Sequence, residues 1–474
     1  MIQRLRERWR TEGGYRDFLV VAVPLILSTA TWSIQHFVDR VFLTWYSTDA
    51  LAAALPAGMT SFVIVGLFMG IASYVNTFVA QYMGAGRLER VGQSLWQGAY
   101  LAVISGVAGL GLAVAADPLF ELIGHADEIR VQEASYFRIL CYGIAPLTLG
   151  TSFSCFYSGR GKTWPLLAVN VVTTLINVIL DYALIFGNLG LPRMGIEGAA
   201  WATNLAQCFA AITFVALVAQ PQYRRRYGTL SGWRYNPDLF RRLLKFGGPN
   251  GLNFMLDILA FTMVVLVIGR VGTLELTATN LAFNINSLAF MPLLGCGIAV
   301  STLVGQRLGR NQPDAAAYVT WSGVHLGLAY SVVMAVGYGF FPDVFLIPYA
   351  LGSSTAEFEA AREIAILLLR FLAIYMLFDA MYILFTAALK GAGDTRYVML
   401  ASIALSWAFM VVPACLAITF YDPDVYLLWS FVCTYIVVSG VVFYLRFRTG
   451  KWKQMRVIEE SSVVEVSVAA DEVQ

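Results

Sequence analysis

The chain has 474 residues, 58% hydrophobic and 13% charged, with a formal net charge of +2 and a mean hydropathy of +0.67. That balance excludes a soluble multidomain protein, and a net charge of +2 says nothing by itself about nucleic acid, since what matters is where the charges lie. Apolar runs of about 20 residues recur throughout, long enough to cross a hydrocarbon core of roughly 30 Å as helices, and period-two alternation is absent, which argues against a β-barrel.

Arg4, Arg6, Arg8 and Arg10 precede the first apolar run. No short apolar core with a small-residue cleavage site follows, so the start reads as uncleaved. Twelve spans are expected, at 18–45, 51–81, 92–116, 132–157, 164–187, 196–219, 247–269, 277–305, 316–341, 362–388, 397–420 and 426–446. With the amino terminus inside, 25 of the 32 Lys and Arg residues fall on the inner side. The positive-inside rule then predicts a multi-pass protein of the inner membrane with both termini cytoplasmic. The expected organisation is a basic amino terminus (1–17), a first six-helix bundle (18–219), a cytoplasmic linker (220–246), a second six-helix bundle (247–446) and a cytoplasmic tail without fixed structure (447–474).

The two halves repeat. At an offset of 225, Pro24, Gly70, Thr77, Gln81, Gly84, Trp96 and Gly98 match Pro249, Gly295, Thr302, Gln306, Gly309, Trp321 and Gly323. Later the offset becomes 232, pairing Arg138, Gly159, Gly161 and Thr163 with Arg370, Gly391, Gly393 and Thr395, the extra residues being assigned to the outer loop around Gly352 to Thr355. Because each half has an even number of spans, the repeats are parallel, related by a pseudo-two-fold axis along the membrane normal. The fold expected is an all-α polytopic protein whose two bundles face one another across a cavity.

The membrane acids are few: Asp39, Asp181, Asp257 and Asp379. Each costs about 2.5–3.5 kcal/mol at the bilayer centre on insertion scales, so each calls for a partner, a watery cavity or a function. Asn177 and Asp181 are four apart and share a helix face. Counted along their spans, Asp39, Asn177, Asp181 and Thr203 all come to the outer half of the first bundle. Two carboxylates with an amide and a hydroxyl can hold a sodium ion or share a proton. In the second bundle Asp257 lies near the midplane and Asp379 further in, with Tyr375 and Tyr382 on its face. The alternative is structural pairing of these acids with Arg40, Arg138 or Arg370. At the repeat offsets the acids face Val264, Trp32, Leu147 and Pro413, so the scaffold repeats and the acids do not.

Pro24 removes a helix hydrogen bond about four turns before Asp39 and marks a possible kink. Gln81 and Gln306 are expected to cap or pack equivalent turns. Trp32, Phe37, Met69, Tyr74, Phe254, Met255, Phe283 and Met291 are candidate apolar lining or simple packing. Gly159-Arg160-Gly161-Lys162-Thr163 ends like a phosphate loop, but Phe156 stands where its first glycine belongs and no strand precedes it, so no ATP site is expected. Gly391-Ala392-Gly393-Asp394 spells an intramembrane aspartyl protease motif, and Asp394 is expected to be a solvated turn residue. His36, His125 and His325 lack metal-ligand spacing. The six cysteines fall in apolar segments without CxxC spacing and read as buried thiols.

The chain resembles the multidrug and toxic compound extrusion (MATE) family over roughly residues 15–446. Val38-Asp39-Arg40-Val41-Phe42 is similar to the family's first-helix motif, Asn177 to Asp181 to its fifth-helix motif, and Gly198-Ala199-Ala200-Trp201-Ala202-Thr203 to its sixth. The run from Asp379 to Arg396 resembles its tenth helix and following turn. The resemblance implies a secondary antiporter, not an enzyme, that exports organic cations against H⁺ or Na⁺ by alternating access. It places one cation site at Asp39, Asn177, Asp181 and Thr203, which would be the metal ligands if sodium is the ion, and a second at Asp257 and Asp379. Asp257 departs from the pattern, since that position is commonly Glu in the sodium-coupled branch. Expected partners are a small organic substrate and the lipid bilayer, with no ATP, nucleic acid or cofactor beyond the transported ion, and a monomer. The alternatives are a lipid-linked oligosaccharide flippase of the same superfamily and an intramembrane aspartyl protease using Asp379 and Asp394.

Overall fold

The computed structural model describes residues 2–123, 127–350 and 356–459, and these are helical throughout, without strands among the described residues. An amphipathic helix α1 (Ile2–Arg10) leads into α2 (Tyr15–Tyr46), α3 (Thr48–Ser73) and α4 (Val75–Gly84), which together make the first two spans. There follow α5 (Leu88–Val114), a short α6 (Ala116–Ile123), α7 (Asp127–Tyr142), α8 (Ile144–Gly159), α9 (Trp164–Phe186) and α10 (Ile196–Val218). After the linker helix α11 (Pro221–Tyr227), the second half comprises α12 (Pro237–Val271), α13 (Thr273–Gly309), α14 (Pro313–Phe340), α15 (Pro342–Ala350), α16 (Ala356–Ala392), α17 (Thr395–Ser406), α18 (Val412–Phe420) and α19 (Val425–Arg448).

All twelve expected spans are present. The fourth is α7 plus α8, bent by 40° at Gly143. The bend has a physical cause. Gly143 has no side chain, and the Asn204 amide of α10 occupies the space that a Cβ there would need, donating to the freed Ile139 carbonyl. The eleventh span is α17 and α18, joined by a π-helical turn at Trp407–Val411 just ahead of Pro413. Local signals mark several ends: Asn236 and Asp424 accept from the third residue beyond them, and Gly187 closes α9 in the left-handed region.

Two expectations, of the linker and of the tail, are corrected. The linker ends ten residues early, because Asn236 caps α12 and the seventh span starts at Pro237. Pro24 lies inside α2, where it supplies no N–H to the hydrogen-bond ladder; the Thr163 hydroxyl donates to the nearby Val21 carbonyl at 3.2 Å. The tail is packed over residues 450–459: Trp452 is buried against Phe447 with ring centroids 4.9 Å apart, and Val457 is fully buried. Residues 460–474, the loop residues Gly352 to Thr355 and His125 lie outside the described residues.

The two bundles meet through α2 on α13, α3 on α12 and α4 on α13. At the end where both termini lie, one apolar core joins them, with Phe18, Phe78 and Tyr82 of the first half packed together with Val300, Leu308 and Phe385 of the second. Toward the other end the cores separate, one formed entirely from the second half and two entirely from the first. The molecule is therefore sealed at the end carrying the termini and split at the opposite end, where Arg40 reaches across to Asn284 at 3.1 Å.

Glycine makes the seal tight. A methyl at Gly70 would fall 2.6 Å from the Gly251 Cα, and one at Gly295 would fall 2.6 Å from the Ile26 Cα. Gly70 and Gly295 are repeat partners, as are Ile26 and Gly251, so these are one helix crossing made twice. Within this contact Asn76 donates to Thr302 at 3.0 Å and accepts from Ser158 at 2.7 Å, which satisfies a buried amide between the halves.

Candidate functional site

Asp39 is seven residues from the outer end of α2, and Asp181 is five from the outer end of α9. Helices α2 and α9 pack together, which brings the acids to the same depth, and Asn177 lies one turn below Asp181. Asn177 and Asp181 are fully buried; Asp39 is half-buried. With its amide nitrogen facing the acids, Asn177 donates to Asp39 Oδ1 at 3.1 Å and to Asp181 Oδ2 at 3.2 Å. The two carboxyl groups lie in each other's field, and Asp181 Oδ1 is buried with no hydrogen-bond partner. Thr203 is half-buried on α10, and among the described residues no hydrogen bond ties it to the trio.

Among the described residues no arginine or lysine forms an ion pair with these acids, although Arg40 lies in the field of Asp39 and Lys390 in that of Asp257. Arg138 pairs with Asp117 instead, Arg40 donates to Asn284, and Arg370 is exposed. Tyr136 of α7, which the sequence did not single out, lies within the electrostatic reach of both Asp39 and Asp181. Nothing in its local sequence marks it, because a tyrosine in an apolar span reads as packing.

In the second bundle Asp257 Oδ2 accepts from Asn253 Nδ2 at 2.8 Å and from the Tyr382 hydroxyl at 3.3 Å, while Oδ1 is buried without a partner. Asn253 was also missed, although its signal was present: Asn253 and Asp257 repeat the four-residue spacing of Asn177 and Asp181. Tyr382, expected beside Asp379, bonds Asp257. Asp379 is 4% exposed, with Tyr375 in its field and Asn286 donating to the Tyr375 hydroxyl at 3.4 Å. Tyr435 lies in the field of both acids, so Asp257 and Asp379 line one polar interior but make no direct hydrogen bond among the described residues.

Asp394 is not solvated. It is 7% exposed and accepts from Arg446 Nε at 2.8 Å, with the same guanidinium 4.2 Å from the Tyr397 ring centroid. The helix between Asp379 and the turn at Asp394 separates the two acids by roughly 20 Å at about 1.5 Å per residue, so they cannot form a proteolytic dyad. Thr163 and the preceding turn follow a helix and pack on Pro24's helix, as a phosphate loop would not. The six cysteines are free thiols, and no cluster of three or more His, Cys, Asp or Glu side chains suits a metal among the described residues. His325 accepts or donates to the Tyr15 hydroxyl at 3.0 Å.

Two helical bundles, sealed at one end and each holding a buried acid hydrogen-bonded to an asparagine one turn away, define a polytopic transporter-type membrane protein. The chain belongs to the MatE family, whose model matches residues 24–183 and 249–416. It is 24% identical over 458 residues to a probable multidrug resistance protein NorM of Thermotoga maritima, covering 95% of this chain and 96% of that one. It is 26% identical over 401 residues to the multidrug resistance protein PmpM of Pseudomonas aeruginosa, covering 84% and 83%. Among solved structures, a crystal structure of a MATE point mutant superposes with a TM-score of 0.83 at 17% identity, covering 95% and 99%. An outward-facing multidrug resistance MATE transporter of the MOP superfamily gives 0.82 at 16%, covering 95% and 98%. These structures establish the fold, and both relatives are named as multidrug resistance proteins.

Proposed function

We propose that this protein is a secondary antiporter that exports organic, predominantly cationic, small molecules in exchange for H⁺ or Na⁺, working as a monomer in the inner membrane with both termini cytoplasmic. One observation carries the reading. Asn177 ties two membrane-embedded carboxyl groups together, and among the described residues neither forms an ion pair with an arginine or lysine, an arrangement that persists where a mobile cation does the neutralising. For a proton, the two carboxyls share it; for sodium, Asp39, Asp181 and Thr203 supply oxygen ligands, joined by Asn177 once its amide turns its oxygen toward the acids. Asp39 is half-buried and so provides the route in, whereas Asp181 is sealed. Asp257 and Asp379 are the second acidic site, for ion or substrate.

The split at the end opposite the termini matches release to the outside, and the relatives named as multidrug resistance proteins support a drug-like substrate. The test is transport by purified protein in liposomes under an imposed pH gradient and, separately, an imposed sodium gradient. Export driven by one gradient and lost in both Asp39→Asn and Asp181→Asn supports the proposal. Undiminished export in both variants overturns it.

A further inference from the structure

The ordered end of the tail lies across the two bundles. From α19 the chain turns at Gly450, forms a 3₁₀ turn over Lys451–Gln454, and seats Trp452 on Phe447 and Lys453 on Asp314 at 2.7 Å, all in the second bundle. Val457 packs beside Gly393, and its carbonyl accepts from Arg242 at 3.0 Å. From there the contacts pass to the first bundle. The Val457 N–H donates to Gln81 Oε1 at 2.9 Å, and Glu459 accepts from the Tyr82 hydroxyl at 2.7 Å. The Glu459 carboxylate also stands 3.6 Å from Arg87 and 3.3 Å from Arg90, and Arg87 donates to its backbone carbonyl at 3.1 Å.

We infer that residues 450–459 form an intramolecular strap that locks the two bundles together at the terminal end and must detach before that end can open. The side chains it grips in the first bundle, Gln81 and Tyr82, belong to α4, the helix that packs on α13 in the seal. Gln81 is fully buried and uses its whole amide, with Oε1 held by the strap and Nε2 held by Gly391 of the second bundle at 2.9 Å. Separating α4 from α13 therefore breaks the strap, and releasing the strap leaves Gln81 Oε1 without its donor. The anchor is a carboxylate set among Tyr82, Arg87, Arg90 and Arg242, so it is a charge-assisted contact and one that a single substitution reverses. The consequence for transport rests on the alternating-access reading above; the strap itself is tested without any transport assay.

Nitroxide labels at Glu89→Cys and Gln312→Cys, in a background with the six native cysteines replaced, report the separation of the halves at this end. With the native tail a single short distance is expected. Glu459→Arg is expected to raise the population with a longer distance by roughly tenfold, the scale of one charge-assisted contact, and Arg87→Glu with Arg90→Glu added to it is expected to restore the short distance. A well-folded Glu459→Arg protein with the native distribution overturns the inference. Hydrogen exchange on the unsubstituted chain gives a check that needs no variant: the Val457 amide should be protected together with the Gln81 segment, and exchange at the rate of a free peptide overturns the strap. A strap confirmed by distance with no effect of Asp39→Asn on export would instead indict the transport reading.

Discussion

Gln81 and Gln306 stand at equivalent positions in the two halves and make the same hydrogen bond in opposite directions: Gln81 Nε2 donates to the Gly391 carbonyl at 2.9 Å and Gln306 Nε2 to the Gly159 carbonyl at 2.8 Å. Gly159 and Gly391 are themselves repeat partners. The interface is thus clamped by two copies of one contact, each half holding the turn of the other, and the glutamines hold turns as expected. Gln81 differs in also accepting from Val457. Gln81→Ala is therefore expected to destabilise the sealed form more than Gln306→Ala, because it leaves an amide N–H and a carbonyl buried and unpaired, at about 1–3 kcal/mol each. The fraction of long distances between labels at the sealed end measures this; equal effects of the two substitutions contradict it.

The glycine crossings make a second prediction. A Cβ at Gly251 would meet the Leu67 carbonyl oxygen at 2.3 Å, whereas one at Gly248, on the same helix, meets nothing within 4 Å. Backbone cannot swing aside as a side-chain tip can. Gly251→Ala should cost about 1–3 kcal/mol by overpacking, and Gly248→Ala should be neutral or slightly stabilising through helix propensity. Thermal unfolding of the two purified variants decides it.

Asn177 bridges two carboxyls that no other described amide reaches. Asn177→Leu keeps the volume and removes the bridge. It is expected to abolish gradient-driven export while lowering stability by no more than about 3 kcal/mol, the cost of leaving buried acceptors unpaired. Full export by a folded Asn177→Leu protein would separate this trio from ion coupling.

Breaking the Asp394–Arg446 pair, with side chains 7% and 15% exposed, leaves a buried charge alone. Asp394→Ala should cost about 3–5 kcal/mol, and pairing it with Arg446→Leu should recover part of the loss. Yield and melting temperature of the single and double variants test this; a silent single variant would mean the pair is structurally idle.

The strap has a calculable acid limit. Burial alone would raise the Glu459 carboxyl, but the Tyr82 hydroxyl and the Arg90 and Arg242 charges outweigh it and hold the group below its ordinary value of 4.5. A carboxylate held low contributes stability that is complete above its unfolded value and is lost as pH falls through the folded one. Between about pH 5 and 8 the carboxylate stays ionised, facing Tyr82, Arg87, Arg90 and Arg242. The short distance at the sealed end should hold constant over that range and give way only as pH falls below the ordinary value of 4.5. A change centred near neutrality would assign the control to another group.

The sequence by itself determined the twelve spans, the parallel repeat and the acids worth attention, because hydrocarbon thickness, charge placement and the cost of a buried carboxylate act on composition along the chain. It also carried the Asn253–Asp257 pair, in the spacing already noted for Asn177 and Asp181. What it could not carry are facts about elements far apart in the chain. Asp394 reads as a turn residue until α19 delivers Arg446 to it; Tyr136 reads as packing until α7 brings it near two acids; and a polar tail reads as unstructured until Gln81 and Arg90, more than 350 residues earlier, receive it. Tertiary structure decided these because each depends on which partner fills the space opposite a side chain, and local periodicity holds no information about that.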